Sequence, residues 1–176
     1  DNADNIRGQA INLKAGGGSI GTAANDLEVD SSRGSGSFCI QSSCADDAAG
    51  NSDPGLAAEG DDVALEADGD IFYEETNGFL RLLLAHSFDG DVAIEVRESV
   101  STDTDEDLYL IEDGSALFIE GALRAVANGQ VFAGDGNVTL NVGDDMVTHQ
   151  NSEILARGSI VIRADFNDLD AAGALV

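Results

Sequence analysis

Aspartates at turns are most of what this 176-residue chain offers in the way of chemistry. Asp61, Asp62, Asp68, Asp70, Asp89, Asp91, Asp135, Asp144 and Asp145 stand in or beside Gly-Asp and Asp-Gly steps between short apolar runs. Were those turns stacked, equivalent carboxylates would repeat about 4.8 Å apart, the spacing of neighbouring strands. Such crowding raises carboxylate pKa values unless a cation bridges the oxygens, and Ca2+ suits oxygen-rich sets. The competing reading is a row of solvated turn residues chosen for backbone geometry. In Asp165-Phe-Asn-Asp-Leu-Asp170, a sharp turn would bring Asp165, Asn167, Asp168 and Asp170 onto one ion. The run lacks the Gly and the closing Glu of an EF-hand loop, so an Asx-rich turn stands beside the Ca2+ reading. The candidate metal set is Asp68, Asp70, Asp89, Asp91, Asp135, Asp144, Asp145, Asp165, Asn167, Asp168 and Asp170, with Ca2+ optional and no cofactor required.

Other reactive types are sparse. Cys39 and Cys44, with four residues between them in a Gly/Ser-rich stretch, make either a small disulfide loop or two inert thiols. Neither His86 nor His149 is near enough in sequence to complete a zinc set with them, and both histidines read as surface or packing residues. Glu74 and Glu75 are a carboxylate pair, but a glycoside hydrolase needs two carboxylates at a defined separation with split pKa values. Nine aromatic residues (7 Phe, 2 Tyr) are spread thinly, a poor start for a sugar groove. Gly16-Gly17-Gly18 is followed by neither a Lys-Ser/Thr step nor a helix signal, so it is a corner and not a phosphate loop. The chain reads as a non-enzyme.

Composition narrows the partners. Thirty-four acidic residues against eight basic ones give a formal charge of -26. Such a surface repels nucleic acid and anionic membranes, and no apolar run is long enough to span a bilayer. Self-repulsion calls for screening salt or bound divalent cations, which points outside the cytoplasm, the alternative being an acidic cytoplasmic protein of a salt-accumulating cell. Trp is absent and Gly numbers 21, which fits a column of small and aliphatic side chains with frequent corners.

The elements that would position these residues repeat. Ile11-Asn-Leu13 is followed by Gly18-Ser-Ile20, Val63-Ala-Leu65 by Gly69-Asp-Ile71, Val92-Ala-Ile94 by Ser99-Val100, and Val138-Thr-Leu140 by Asp145-Met146; a further copy begins at Ile160-Val-Ile162. Third apolar pairs follow at Leu27/Val29, Leu80/Leu82, Leu108/Leu110 and Ile154/Ala156. Short period-two runs between turn formers are strand grammar, and three strands per 20–30-residue unit describe one coil of a parallel solenoid. Starts at 63, 92, 138 and 160 imply a missing one near 115, matched by Ala116-Leu-Phe-Ile119. The expectation is an all-β solenoid over 1–176, about six to seven coils, with one irregular loop excursion at about 31–58. Ile11, Leu13, Ile20, Val63, Leu65, Ile71, Val92, Ile94, Val100, Val138, Leu140, Ile160 and Ile162 are expected to point inward. Gly78 to Ser87 reads as a strand in preference to a short buried helix. No polar cap is visible at either end, so copies stacking end to end, or neighbouring repeats of a longer chain, are the expected partners.

Ile11-Asn-Leu-Lys-Ala-Gly-Gly-Gly-Ser-Ile-Gly-Thr22, Gly69-Asp-Ile-Phe-Tyr-Glu-Glu-Thr-Asn-Gly-Phe-Leu80 and the run from Gly136 through Asp165 resemble repeats of very large bacterial exoproteins of the filamentous-haemagglutinin and adhesin type. The resemblance covers nearly all of the chain outside 31–58. It implies a right-handed, single-stranded parallel β-helix, secretion or cell-surface display, and a scaffold, fibre-forming or adhesin role in attachment or matrix. It carries no catalytic residues. The alternative is a module that binds glycans or a host surface through the 31–58 excursion.

Overall fold

Period-two runs such as Ile71-Phe-Tyr-Glu-Glu75 and Val92-Ala-Ile-Glu-Val96 turn alternate side chains to opposite faces, and both are strands with alternate residues buried. The computed structural model describes residues 5–8, 11–31, 62–98, 106–110, 112–119, 122–148 and 152–167. Among them are fifteen strands and no helix. In chain order these are β1 (Ile6–Arg7), β2 (Ile11–Ala15), β3 (Leu27–Asp30), β4 (Asp62–Ala67), β5 (Ile71–Glu75), β6 (Leu80–Ser87), β7 (Val92–Val96) and β8 (Leu108–Leu110). There follow β9 (Glu112–Ile119), β10 (Ala122–Asn128), β11 (Gln130–Ala133), β12 (Val138–Val142), β13 (Met146–Thr148), β14 (Glu153–Ala156) and β15 (Ile160–Arg163).

Two parallel sheets carry the fold. The first has the order β1-β3-β5-β7-β12-β15. The second runs β2-β4-β6 and then divides, since β6 is eight residues long and serves two neighbours on its far edge. Leu80 to Leu82 pair with β8, and Leu84 to Ser87 pair with β11. β13 extends the β8 branch and β14 the β11 branch. Each pass of the chain thus visits three places: β5, then the two halves of β6; β7, β8 and β11; β12, β13 and β14. This is the all-β, parallel arrangement expected, with the 78–87 segment a strand.

The register differs from the sequence alignment in two ways. Val63 and Val92 are not equivalent: Val63 pairs with Ile11 and Leu82 in the second sheet, whereas Val92 pairs with Ile71 and Val138 in the first. Apolar alternation looks the same on either wall of a stack, so the pattern alone could not separate them. The expected extra start at 116–119 is also wrong. β7 pairs directly with β12, and the 46-residue step from 92 to 138 contains one pass plus an insertion. That insertion is the antiparallel pair β9–β10, which lies outside the parallel ladders with β9 against β2 and β10 against β6. Among the described residues the first sheet stacks six strands, and the longest path through the second, β2, β4, β6, β11 and β14, has five.

One aliphatic column fills the inside. Val63, Leu65, Ile71, Val92, Ile94, Val138 and Leu140 are at most 2% exposed, with Ile11 and Ile20 also buried. Leu13 and Ile162 are partly buried against the same column. Ile160 is the exception to the inward list. It pairs with the sealed Val138 but is 46% exposed, and among the described residues β15 has a strand neighbour on one side only. Val100 and the expected 31–58 excursion, apart from Ser31, lie outside the described residues.

A register shift between Val63 and Ala64 leaves Leu83 without a partner in β4. The inward residues are therefore Leu80 and Leu82 before the bulge and Ala85 after it, while Leu83 and Leu84 face out. There they form a second, smaller cluster with Ala64 and Tyr109. A bulge that bends a strand is what lets one strand line two walls.

Candidate functional site

The best-built polar feature is a column of corner residues directly before the first-sheet strands: Ser19, Asp70, Asp91, Asn137 and Ser159. Ser19 Oγ accepts the Asp70 amide at 2.9 Å, and Asp70 Oδ1 accepts the Asp91 amide at 2.9 Å. Asp91 Oδ1 accepts the Asn137 amide at 2.7 Å and its Nδ2 at 3.1 Å, and Asn137 Oδ1 accepts the Ser159 amide at 2.8 Å. Every step ties one pass to the next through a side-chain oxygen and a backbone N–H that strand pairing does not use. A carboxylate here meets a partial positive charge, which offsets part of the repulsion from the next one.

A glycine precedes each member, at Gly18, Gly69, Gly90, Gly136 and Gly158. Close approach explains four of them, Gly69, Gly90, Gly136 and Gly158, whereas Gly18 has open space around it. A Cβ on Gly90 would collide with Asp70 Oδ1, one on Gly136 with Asp91 Oδ1, and one on Gly158 with Asn137 Oδ1. The phrase Gly-(Ser/Asp/Asn)-(Ile/Val) is thus the local code for a corner, and it was visible in the sequence as a repeat. Its meaning was not, because the hydrogen bonds run between residues 21 to 51 positions apart.

Other candidate carboxylates serve similar ends. Asp68 Oδ2 accepts the Gly17 amide at 2.6 Å. Asp144, 2% exposed, accepts the Glu106 amide at 3.2 Å. The Asp145 amide donates to Asp107 Oδ1 at 2.9 Å, and burial raises the Asp107 pKa. Asp135 pairs with Arg157 on the surface, and Asp89 is exposed. Asp165 and Asn167 carry φ of 56° and 90°, the left-handed region that Asp and Asn tolerate better than other side chains, as expected of an Asx-rich turn. Among the described residues no group of three or more His, Cys, Asp or Glu side chains is placed to hold a metal ion. Asp61, Asp168, Asp170, His149, Cys39 and Cys44 lie outside the described residues.

Glu74 and Glu75 do not form a working pair. Successive residues of a strand face opposite ways, and Glu74 meets Arg97 at 2.5 Å on the outer face while Glu75 is 0% exposed inside. Glu75 accepts the Ser31 amide at 2.7 Å, Ser31 Oγ at 2.5 Å and Tyr73 Oη at 2.9 Å. Burial pushes its pKa up to about 8 against the lowering effect of those donors. The same burial, with Glu75 beside it, holds the Tyr73 hydroxyl well above 10. This core network was missed in the sequence, where Ser31 stands 44 residues from Glu75.

Two outer columns complete the surface. Along the first sheet, Glu28, Glu74, Glu95, Asn141 and Arg163 share one row. Burial together with Glu74 and Asp26 raises the Glu95 pKa, and burial together with Glu74 and Glu28 raises that of Asp26. Along the second sheet, Lys14, Glu66, His86, Phe132 and Leu155 share a row. His86 stacks on Phe88 with centroids 4.2 Å apart and meets Phe132 edge-on at 5.7 Å. Strand pairing thus gathers rings that look scattered in sequence. Comparison of the chain with protein-family models, curated proteins and solved structures finds no match.

Proposed function

We propose that the chain is a segment of an extracellular structural scaffold, wound as a right-handed parallel β-helix and related to the filamentous-haemagglutinin type of exoprotein. The observation that carries the reading is the corner column, in which each pass supplies the acceptor for the next from Ser19 to Ser159. Such a column has value as a repeating mechanical joint and holds no group poised for catalysis. A stack stabilised by contacts between successive passes is stiff along its axis. The charge of -26 keeps the sides of such rods apart in salt water. In the cells that make it, the protein should be degraded when intact cells are treated with protease, and small-angle scattering should give an elongated particle. Full protection on intact cells would end the extracellular part of the reading, and a spherical scattering profile would end the rod.

Attachment to a glycan or a cell surface is a second reading, favoured by the cluster of His86, Phe88 and Phe132. Phe88 is 38% exposed, and flat partly exposed rings suit the apolar face of a sugar. Binding in a glycan array that disappears in Phe88→Ala and Phe132→Ala would favour this role. Equal binding by wild type and variants would remove it.

A further inference from the structure

One inner column of the first sheet is aliphatic at every described place but one. Strand register sets Ile6, Val29, Glu75, Val96 and Val142 in line. Glu75 is as fully enclosed as its neighbours Val29 and Val96, each 0% exposed. A carboxyl in such a place depends on its hydrogen-bond donors. All three come from two residues: Ser31, through its amide at 2.7 Å and its hydroxyl at 2.5 Å, and Tyr73, through Oη at 2.9 Å.

The two donor residues are held very differently. Tyr73 lies mid-strand in β5, paired with Leu27 on one side and Ile94 on the other, and is fully buried. Ser31 comes just after β3, which ends at Asp30. The ladder between β3 and β5 stops earlier, where the Thr76 amide and Oγ1 both donate to the Val29 carbonyl. Both donors of Ser31 go to Glu75. Ser31 can therefore leave without breaking a strand pair, and Tyr73 cannot. We propose that Glu75 and Ser31 form a proton-operated latch at the end of β3. With Glu75 protonated, Ser31 stays fastened over the core; loss of the proton lets Ser31 swing outward and water reach the carboxylate.

The surroundings give the carboxylate little help. On β3, Asp30 adds a like charge, and its own partner is Arg7 of β1, 3.7 Å away. On β5, Glu74 points outward to Arg97, whose guanidinium lies on the outer face. On β7, Val96 faces Glu75, and the buried Glu98 follows two positions on. The inward residues of β6 are Leu80, Leu82 and Ala85, all uncharged. Burial holds the Tyr73 hydroxyl well above 10, so it remains a donor throughout. Burial likewise keeps the Glu75 proton in place up to about pH 8 against the effect of its donors. Once released into water, Glu75 ionises near its ordinary 4.5. The released form therefore gains about tenfold per pH unit between those two values and gains no more above the higher one.

Native-state hydrogen exchange of the whole chain tests the latch. The Ser31 amide should exchange through a small opening that low urea does not promote, unlike global unfolding. Its protection, corrected for the intrinsic rate, should fall about tenfold per pH unit from about pH 5 and level off near about pH 8. Glu75→Gln keeps a neutral side chain that still accepts the Ser31 amide, and its protection should not change with pH. Tyr73→Phe keeps the ring but removes one donor to the carboxylate, so the levelling-off should move to higher pH. Exchange of Ser31 only through urea-promoted unfolding, a flat profile in the wild type, or an undiminished slope in Glu75→Gln would overturn the proposal. So would a Tyr73→Phe profile that levels off at the same pH or a lower one.

Discussion

Val92, Val138 and Ile160 occupy one column of the first sheet, yet the first two are sealed while the third is nearly half exposed. The residue types are close and the corner before each is of the same kind, Gly90-Asp, Gly136-Asn and Gly158-Ser. Neighbours make the difference. Among the described residues β7 and β12 lie between two strands, and β15 lies beside one. In a stack, stability belongs to the contact between passes more than to the pass itself, so interior and end positions should respond very differently to the same change.

The largest expected effect lies in the sealed interior. Glu75 ionises near 4.5 in an unstructured chain and near 8 in the folded protein. Between those values the folded state holds the extra proton, so stability is highest below about pH 4.5 and falls as pH rises toward 8. The total is on the order of 5 kcal/mol for a shift of this size. Glu75→Gln keeps the shape without the charge and should flatten urea-denaturation stability across that window. An equally steep slope in the variant would assign the pH dependence to the other carboxylates.

Truncation tests the same contrast without charge. Leu65→Ala, at a fully buried position, should cost about 2–5 kcal/mol through lost burial and a cavity. Ile160→Ala should cost less than about 1 kcal/mol, since much of that side chain is already in water. Equal losses in denaturant melts would mean that the end pass is covered in solution.

Smaller than the Leu65→Ala loss is the effect expected at the corners. Gly136→Ala would push a methyl against Asp91 Oδ1 and the Gly90 carbonyl, at about 1–3 kcal/mol. Gly16→Ala, with nothing within 4 Å, should be near neutral. A neutral Gly136→Ala would mean that the corner column gives way easily and is no joint.

Least of all should chelation matter. Asp68, Asp70, Asp91 and Asp144 accept backbone amides, so EDTA should move the melting temperature no more than an equal change in ionic strength. A larger fall, reversed by Ca2+ and not by matched NaCl, would place an ion site among residues such as Asp168 and Asp170.

Much of the fold was legible because its signals are local. Alternation in Val138-Thr-Leu-Asn-Val142 and turn residues at Gly69-Asp70 need only a few neighbours to be read. The register was not legible, since Val63 and Val92 carry the same apolar pattern and only long-range pairing assigns them to different sheets. Ala116 to Ile119 failed for a related reason: an apolar run is compatible with a parallel pass or with an antiparallel hairpin, and β10 decides between them. The candidate carboxylates were read as turn residues or ion ligands. The amide partners that distinguish those uses are up to 51 residues away.

By itself, then, the sequence determined strand grammar, the spacing of corners, the aliphatic column and the charge of -26, all of which follow from residue type and short-range order. Tertiary structure decided which wall each strand lines, that Glu75 is enclosed while Glu74 is not, and that His86, Phe88 and Phe132 meet. Each of these depends on which distant strand lies alongside, and hydrogen bonds and burial between passes are settled only when the whole stack is assembled.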